Sequence, residues 1–181
     1  AKLIQPEGGR IPNSDFLFIE DVGEDGFAVK NEAFCQIMSE VALDTPAEAK
    51  AFLEKAVEFS NNNLLGTLGA CILVDEDTLE NHRGAVEQAI TDLEYGGIAV
   101  NDMPPAVRLN PWLTWGGNEE GKEFVSGSGN FGNQLSFENV EKSIIWSSFM
   151  SAGHLIATQK HVLQDLSRHM ANFAIQPSWR E

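Results

Sequence analysis

Glu32 and Phe34 stand two residues apart in the run Asn31 to Asp44, NEAFCQIMSEVALD. On an extended segment both side chains leave from one face. That sets a hydrogen-bond acceptor beside a flat apolar surface, a pairing that suits a ribose next to a planar ring. The same spacing also describes an edge strand with a solvated carboxylate and a core phenylalanine. Other residues of chemical character carry less. Cys35 and Cys71 sit in apolar sequence outside any C-x-x-C or metal spacing. Lys30 is the only basic residue within five positions of either, so both read as small buried hydrophobes, Cys71 inside a strand. His82, His154, His161 and His169 share no i, i+4 spacing, which excludes a helical metal pair. Ser126-Gly127-Ser128-Gly129 has the composition of a phosphate nest but not the spacing of a P-loop, and a plain turn is the simpler reading. No G-x-G-x-x-G follows the first strand. By themselves these residues assemble no complete active site, so their positioning elements carry the argument.

A chain of 181 residues with 43% apolar content can bury a sizeable core in one domain. Its 27 acidic and 12 basic residues give a net charge of -15, which repels phosphate backbones and anionic lipid and makes nucleic acid and membranes poor partners. No stretch approaches the roughly 20 apolar residues needed to cross a bilayer. Two cysteines without pairing signals fit a reducing, cytoplasmic setting. The start AKLIQPEGG has neither a basic nor an apolar targeting region and is already mid-pattern, which is expected of a fragment of a longer chain.

Residues 1 to 14 form an irregular lead-in, and Asp15 to Val22 reads as a strand buried on both faces. Ser39 to Leu43 alternates as a strand. Thr45-Pro46-Ala47-Glu48 then offers a cap, a first-turn proline and a capping-box glutamate. The following helix has Ala49, Phe52, Leu53, Ala56, Val57 and Ser60 as its buried stripe and stops at Asn61 to Asn63. Thr67 to Val74 is the next strand, and Asp77-x-x-Glu80 caps a helix whose stripe is Leu79, Val86, Ala89, Ile90 and Leu93. Gly96-Gly97 stops it before the strand Ile98 to Val100. Alternating strands and helices predict right-handed crossovers and a largely parallel sheet.

Asn101 to Asn133 has no period, and the spacing predicts a long loop that walls a site at the carboxyl ends of the strands. Leu135 to Trp146 reads as an extended segment with Ile144 and Ile145 packed, and Val162 to Phe173 as an amphipathic helix.

In this order the parts resemble the C-terminal portion of an NAD(P)-dependent aldehyde dehydrogenase. The resemblance rests on Asn31-Glu32-Ala33-Phe34 at the Glu-x-Phe position and Ala56 to Ala70 at the following helix, turn and strand. It continues through Gly97 to Asn101 at the strand ending in asparagine, Trp115-Gly116-Gly117 at the Phe-Gly-Gly position and Ser126 to Gly129 at the Ser-Gly-x-Gly position. It implies an α/β fold: a three-layer, open, mostly parallel sheet with flanking helices over 1–133, then a C-terminal strand and amphipathic helix over 134–181. It also implies that Glu32 accepts hydrogen bonds from the nicotinamide ribose and Phe34 packs on the nicotinamide ring of NAD or NADP. Asn101 and Asp102, in the loop to Pro105, and Trp115 would line the tunnel for an aldehyde substrate. The catalytic cysteine and the general base lie upstream in such enzymes, so no catalytic residue and no metal site is expected here, and the isolated chain is expected to be inactive. Its implied partners are the missing N-terminal half and a second copy joined through the strand Val140 to Trp146. The sequence departs from the family at Cys35-Gln36, where Gly-Pro is usual. That departure motivates the alternative of a non-catalytic interaction or scaffold protein keeping the fold, and a further idea that Cys35 itself carries an acyl group.

Overall fold

The fold is described from a computed structural model, over residues 2–4, 17–32, 37–118, 129–150 and 160–177. Three strands lead the chain: β1 (Lys2–Ile4), β2 (Leu17–Glu20) and, after the one-turn helix α1 (Phe27–Lys30), β3 (Ile37–Ser39). β1 runs antiparallel to β2, and β3 parallel to it with Ile19 opposite Ser39. β3 therefore ends where the alternating pattern Ser39 to Leu43 predicts a strand to begin. Glu40 keeps one link, its N–H donating to Ile19 O at 2.9 Å, and the chain then leaves the ladder.

Helix α2 (Ala49–Asn63) starts later than its cap signal. Glu48 donates its N–H to Pro46 O at 2.8 Å, a tight turn that takes up the amide a capping box would use. Glu48 itself is the extended residue at the helix start and makes no side-chain cap. Within α2, Phe52 is exposed, while Phe59, two turns further along the same side of the helix, is buried with Val22 and Val29. A residue bordering the predicted stripe, though not named in it, thus ties α2 to α1.

β4 (Gly69–Ile72) leads into α3 (Glu76–Asp92), whose cap is Asp75 rather than Asp77. The Asp75 carboxylate accepts from Thr78 N–H at 2.9 Å and from Thr78 Oγ at 2.7 Å. Asp75 leaves the strand in extended conformation, so its carboxylate meets the open N–H groups first. The expected inner face is the observed one, with Val86, Ala89, Ile90 and Leu93 buried against Val74, Tyr95, Ile98 and Val100.

β5 (Gly97–Val100) is buried along its whole length as the middle of a second parallel sheet. After it, the region predicted as an aperiodic loop holds α4 (Pro105–Leu109) and an antiparallel pair, β6 (Trp115–Gly116) with β7 (Asn130–Gly132). These elements are too short to show a period, and the fully buried Val107 anchors the first of them. β8 (Ser143–Trp146) completes the sheet in the order β4-β5-β8, Gly97 opposite Ser143 and Val100 opposite Trp146. Ile144, expected in the core, is exposed because an edge strand buries alternate residues, here Ser143. Helix α5 (Lys160–Ile175) follows.

The architecture is therefore α/β, with parallel pairing and flanking helices. Its described strands fall into two three-stranded sheets and one two-stranded pair rather than one continuous sheet. Among the described residues no helix is long and apolar enough to cross a membrane.

Candidate functional site

A cavity of about 640 Å³ opens between the two three-stranded sheets. β2 and β3 contribute Ile19, Ile37 and Ser39, and the α2–β4 connection contributes Leu64, Leu65 and Leu68. Glu32 stands on one wall and Trp115 on another, with Tyr95, Pro104 and Pro105 between the strands. Residues far apart in sequence and expected to serve cofactor and substrate therefore face one space.

Local bonds set each of them. Val29 is buried and its carbonyl accepts from Leu65 N–H at 3.3 Å, while Asn31 Nδ2 returns to Phe27 O at 2.9 Å. This holds the end of α1 and delivers Glu32 to the cavity rim, exposed and without a hydrogen-bond partner among the described residues. Trp115 lies over Gly97, where a Cβ would come within 3.2 Å of the indole. At Gly96 a Cβ would lie 2.0 Å from Gly116 O. The Gly96-Gly97 pair that reads as a helix stop thus also lets the Gly116-Gly117 backbone and the Trp115 indole lie against it. The Thr114 and Ser143 hydroxyls, both buried and 2.7 Å apart, fasten that segment to β8, a link without a sequence signal.

Asn101 and Asp102 go elsewhere. Asn101 is 2% exposed, with φ of 53°. Its Oδ1 accepts from Val74 N–H and its Nδ2 donates to Val74 O, each at 2.8 Å. Asp102 accepts from Met103 N–H at 2.8 Å and from Ser147 Oγ at 2.7 Å. Both residues cap the carboxyl ends of β4, β5 and β8. Asn101 borders a separate cavity of about 290 Å³ with Glu76, Trp146 and Ser147. Phe34, Cys35, Gln36 and the Ser126 to Ser128 part of the Ser-Gly-x-Gly run lie outside the described residues.

Cys71, expected in the core, is exposed, because β4 is an edge strand whose alternate side chains face outward. Its Sγ donates to Asp102 O at 3.1 Å. Partial desolvation and the Asp102 charge push the thiol above its ordinary range, which leaves it poorly nucleophilic. Burial likewise raises the Tyr95 phenol, which donates to Ser60 O at 3.2 Å. Among the described residues no three His, Cys, Asp or Glu side chains gather as a metal site. A second large groove, about 650 Å³ between α2 and β4, is lined chiefly by Leu53, Ala56, Val57, Ile72 and Val86. Thr45, Glu48, Ser60 and Thr78 also border it, but the cavity holding Glu32 is the one that brings together residues singled out in the sequence.

Compared with family models, curated proteins and solved structures, the chain gives no match.

Proposed function

We propose that the chain forms part of the nicotinamide pocket and substrate tunnel of an NAD(P)-dependent aldehyde dehydrogenase, an oxidoreductase that converts an aldehyde to an acid. The observation that carries this reading is the convergence of Glu32 and Trp115 on one cavity of about 640 Å³. The chemistry there suits NAD or NADP: an exposed carboxylate for ribose hydroxyls and an indole backed by glycine for a flat ring. Glu32 would hold the ribose, and Phe34, two residues on, would pack the ring. When bound, the nicotinamide supplies the hydride acceptor. Trp115, with Asn101 and Asp102 on the neighbouring loop, would shape the aldehyde's approach, Asn101 by holding that loop rather than by touching substrate. In this reading Cys71, whose thiol is raised by partial burial and the Asp102 charge, is not the nucleophile.

In this reading the two small sheets belong to one open three-layer sheet, the setting is cytoplasmic, and the free edge of β8 serves a homo-oligomer. A non-catalytic scaffold is the second reading, favoured by the inward commitment of the Asn101 amide to Val74. Glu32→Gln, introduced in the enzyme that carries this chain, separates them. Losing a charge-assisted bond to the ribose is expected to weaken NAD(P) binding by about tenfold or more. Unchanged cofactor affinity and turnover would remove Glu32 from the site and favour the scaffold.

A further inference from the structure

The cavity between the two three-stranded sheets has an apolar wall and a single charge. Its surface is chiefly hydrocarbon, with Ile19, Ile37, Leu65, Leu68 and Pro105 around the indole of Trp115. Among the described residues that border it, Glu32 alone is charged. The nearest base in sequence, Lys30, pairs with Asp25 at 2.8 Å. Of the neutral polar side chains on the wall, Asn31 commits its Nδ2 to Phe27 O at 2.9 Å and Tyr95 its hydroxyl to Ser60 O at 3.2 Å.

We infer that this cavity takes an uncharged hydrocarbon tail and turns anionic ones away, so that the aldehyde is an alkyl or aryl aldehyde rather than one bearing a second carboxylate or a phosphate. The choice of aldehyde rests on the oxidoreductase reading and names its substrate class. A carboxylate brought out of water beside Glu32 loses hydration that no cation on this wall offsets, and meets like charge as well. An alkyl or aryl tail gains with each patch of its surface removed from water. The net charge of -15 acts in the same sense, thinning anions around the whole molecule. Leu65 is the place where the preference can be altered. It borders the cavity, its side is 63% exposed, and its N–H is fixed to Val29 O at 3.3 Å, so a longer side chain fits there without opening a packed core.

Two measurements keep the preference and the reaction apart. In the enzyme that carries this chain, hexanal and 6-oxohexanoate, equal in length and differing by a terminal carboxylate, are compared as substrates with NAD(P). kcat/KM is expected to favour hexanal by about a hundredfold or more. Leu65→Arg sets a cation on the wall and should narrow that ratio by about tenfold or more, chiefly through a lower KM for 6-oxohexanoate; circular dichroism checks that the variant keeps its fold. In the 181-residue chain itself, hexanol and hexanoate are titrated while the indole N–H resonance of Trp115 is followed, with Trp115→Phe identifying the signal. Hexanol is expected to shift it and hexanoate to leave it in place, and Leu65→Arg to bring out a response to hexanoate. An equal or stronger response to the anion in either measurement, or no shift with hexanol, overturns the inference. Oxidation of neither aldehyde while hexanol still outcompetes hexanoate supports the preference of the cavity and removes the oxidoreductase reading instead.

Discussion

The carboxamide of Asn101 grips the backbone of Val74 at both ends, each bond 2.8 Å, and so extends the β4–β5 ladder by one pair made from a side chain. The ladder itself ends at Ile72 opposite Val100, and Asn101 N–H adds a bond to Ile72 O at 2.9 Å. A residue that looks like a site asparagine from its place after a strand therefore splices two connections.

Asn101→Ala is expected to lower stability by about 3 kcal/mol or more. It leaves Val74 N–H and C=O without their partner in a buried place and puts a Cβ residue at positive φ without a compensating side-chain bond. Asn101→Gly relieves the backbone term and should recover roughly 1 kcal/mol of that loss. Urea unfolding of the two variants side by side checks both amounts. Equal midpoints would assign the whole effect to the amide.

Lys142 closes the C-terminus of α3 from a distant part of the chain. Its Nζ donates to Thr91 O at 2.7 Å, Leu93 O at 2.8 Å and Ile90 O at 3.3 Å, with Glu141 at 2.9 Å. The last turn of α3 has no basic residue of its own, and this cation meets its open carbonyls together with Asn61 Nδ2, which donates to Asp92 O at 2.8 Å. Lys142→Met keeps the length and removes the donors, and is expected to cost about 2 to 3 kcal/mol. Thermal unfolding measures it, and a shift within error would show that solvent replaces the lysine.

Two glycines should respond in opposite directions to the same change. At Gly96 a Cβ meets backbone that cannot yield, 2.0 Å from Gly116 O, so Gly96→Ala should cost about 3 kcal/mol or more and displace Trp115. At Gly84, inside α3, nothing lies within 4 Å of the added atom, and Gly84→Ala should stabilise by about 0.5 to 1 kcal/mol. Chemical denaturation with Trp fluorescence reads both, and a stable Gly96→Ala protein would refute the close contact.

The Cys71 thiol should alkylate slowly near neutrality in spite of its exposure. Its pKa is raised, so the thiolate appears only as pH climbs beyond the ordinary thiol range. Asp102→Asn removes the neighbouring charge and should speed the reaction several-fold at fixed pH. Iodoacetamide labelling followed at the Cys71 peptide gives the rates. If Cys71 reacts faster than an unstructured cysteine, the assignment as a passive thiol fails.

Sequence alone determined what local chemistry controls. The stripe Val86, Ala89, Ile90 and Leu93 follows from helical period, and β5 from an apolar run bounded by glycine. Asn61 to Asn63 end α2 where their polarity says a helix should stop. Glu32 was singled out by its spacing from Phe34 and Trp115 by the family resemblance, and both line one cavity of about 640 Å³. Tertiary structure decided everything that depends on neighbours remote in the chain. Phe59 rather than Phe52, though both face the same side of α2, is buried because Val22 and Val29 come to pack against the turn that carries it. Cys71 and Ile144 face outward because β4 and β8 became edges, and no strand's own sequence states whether it has one neighbour or two. Asn101 and Lys142 spend their polar groups on backbone freed at the ends of other elements. Such partners exist only once β4, α3 and β8 are assembled, which is why spacing could not reveal them.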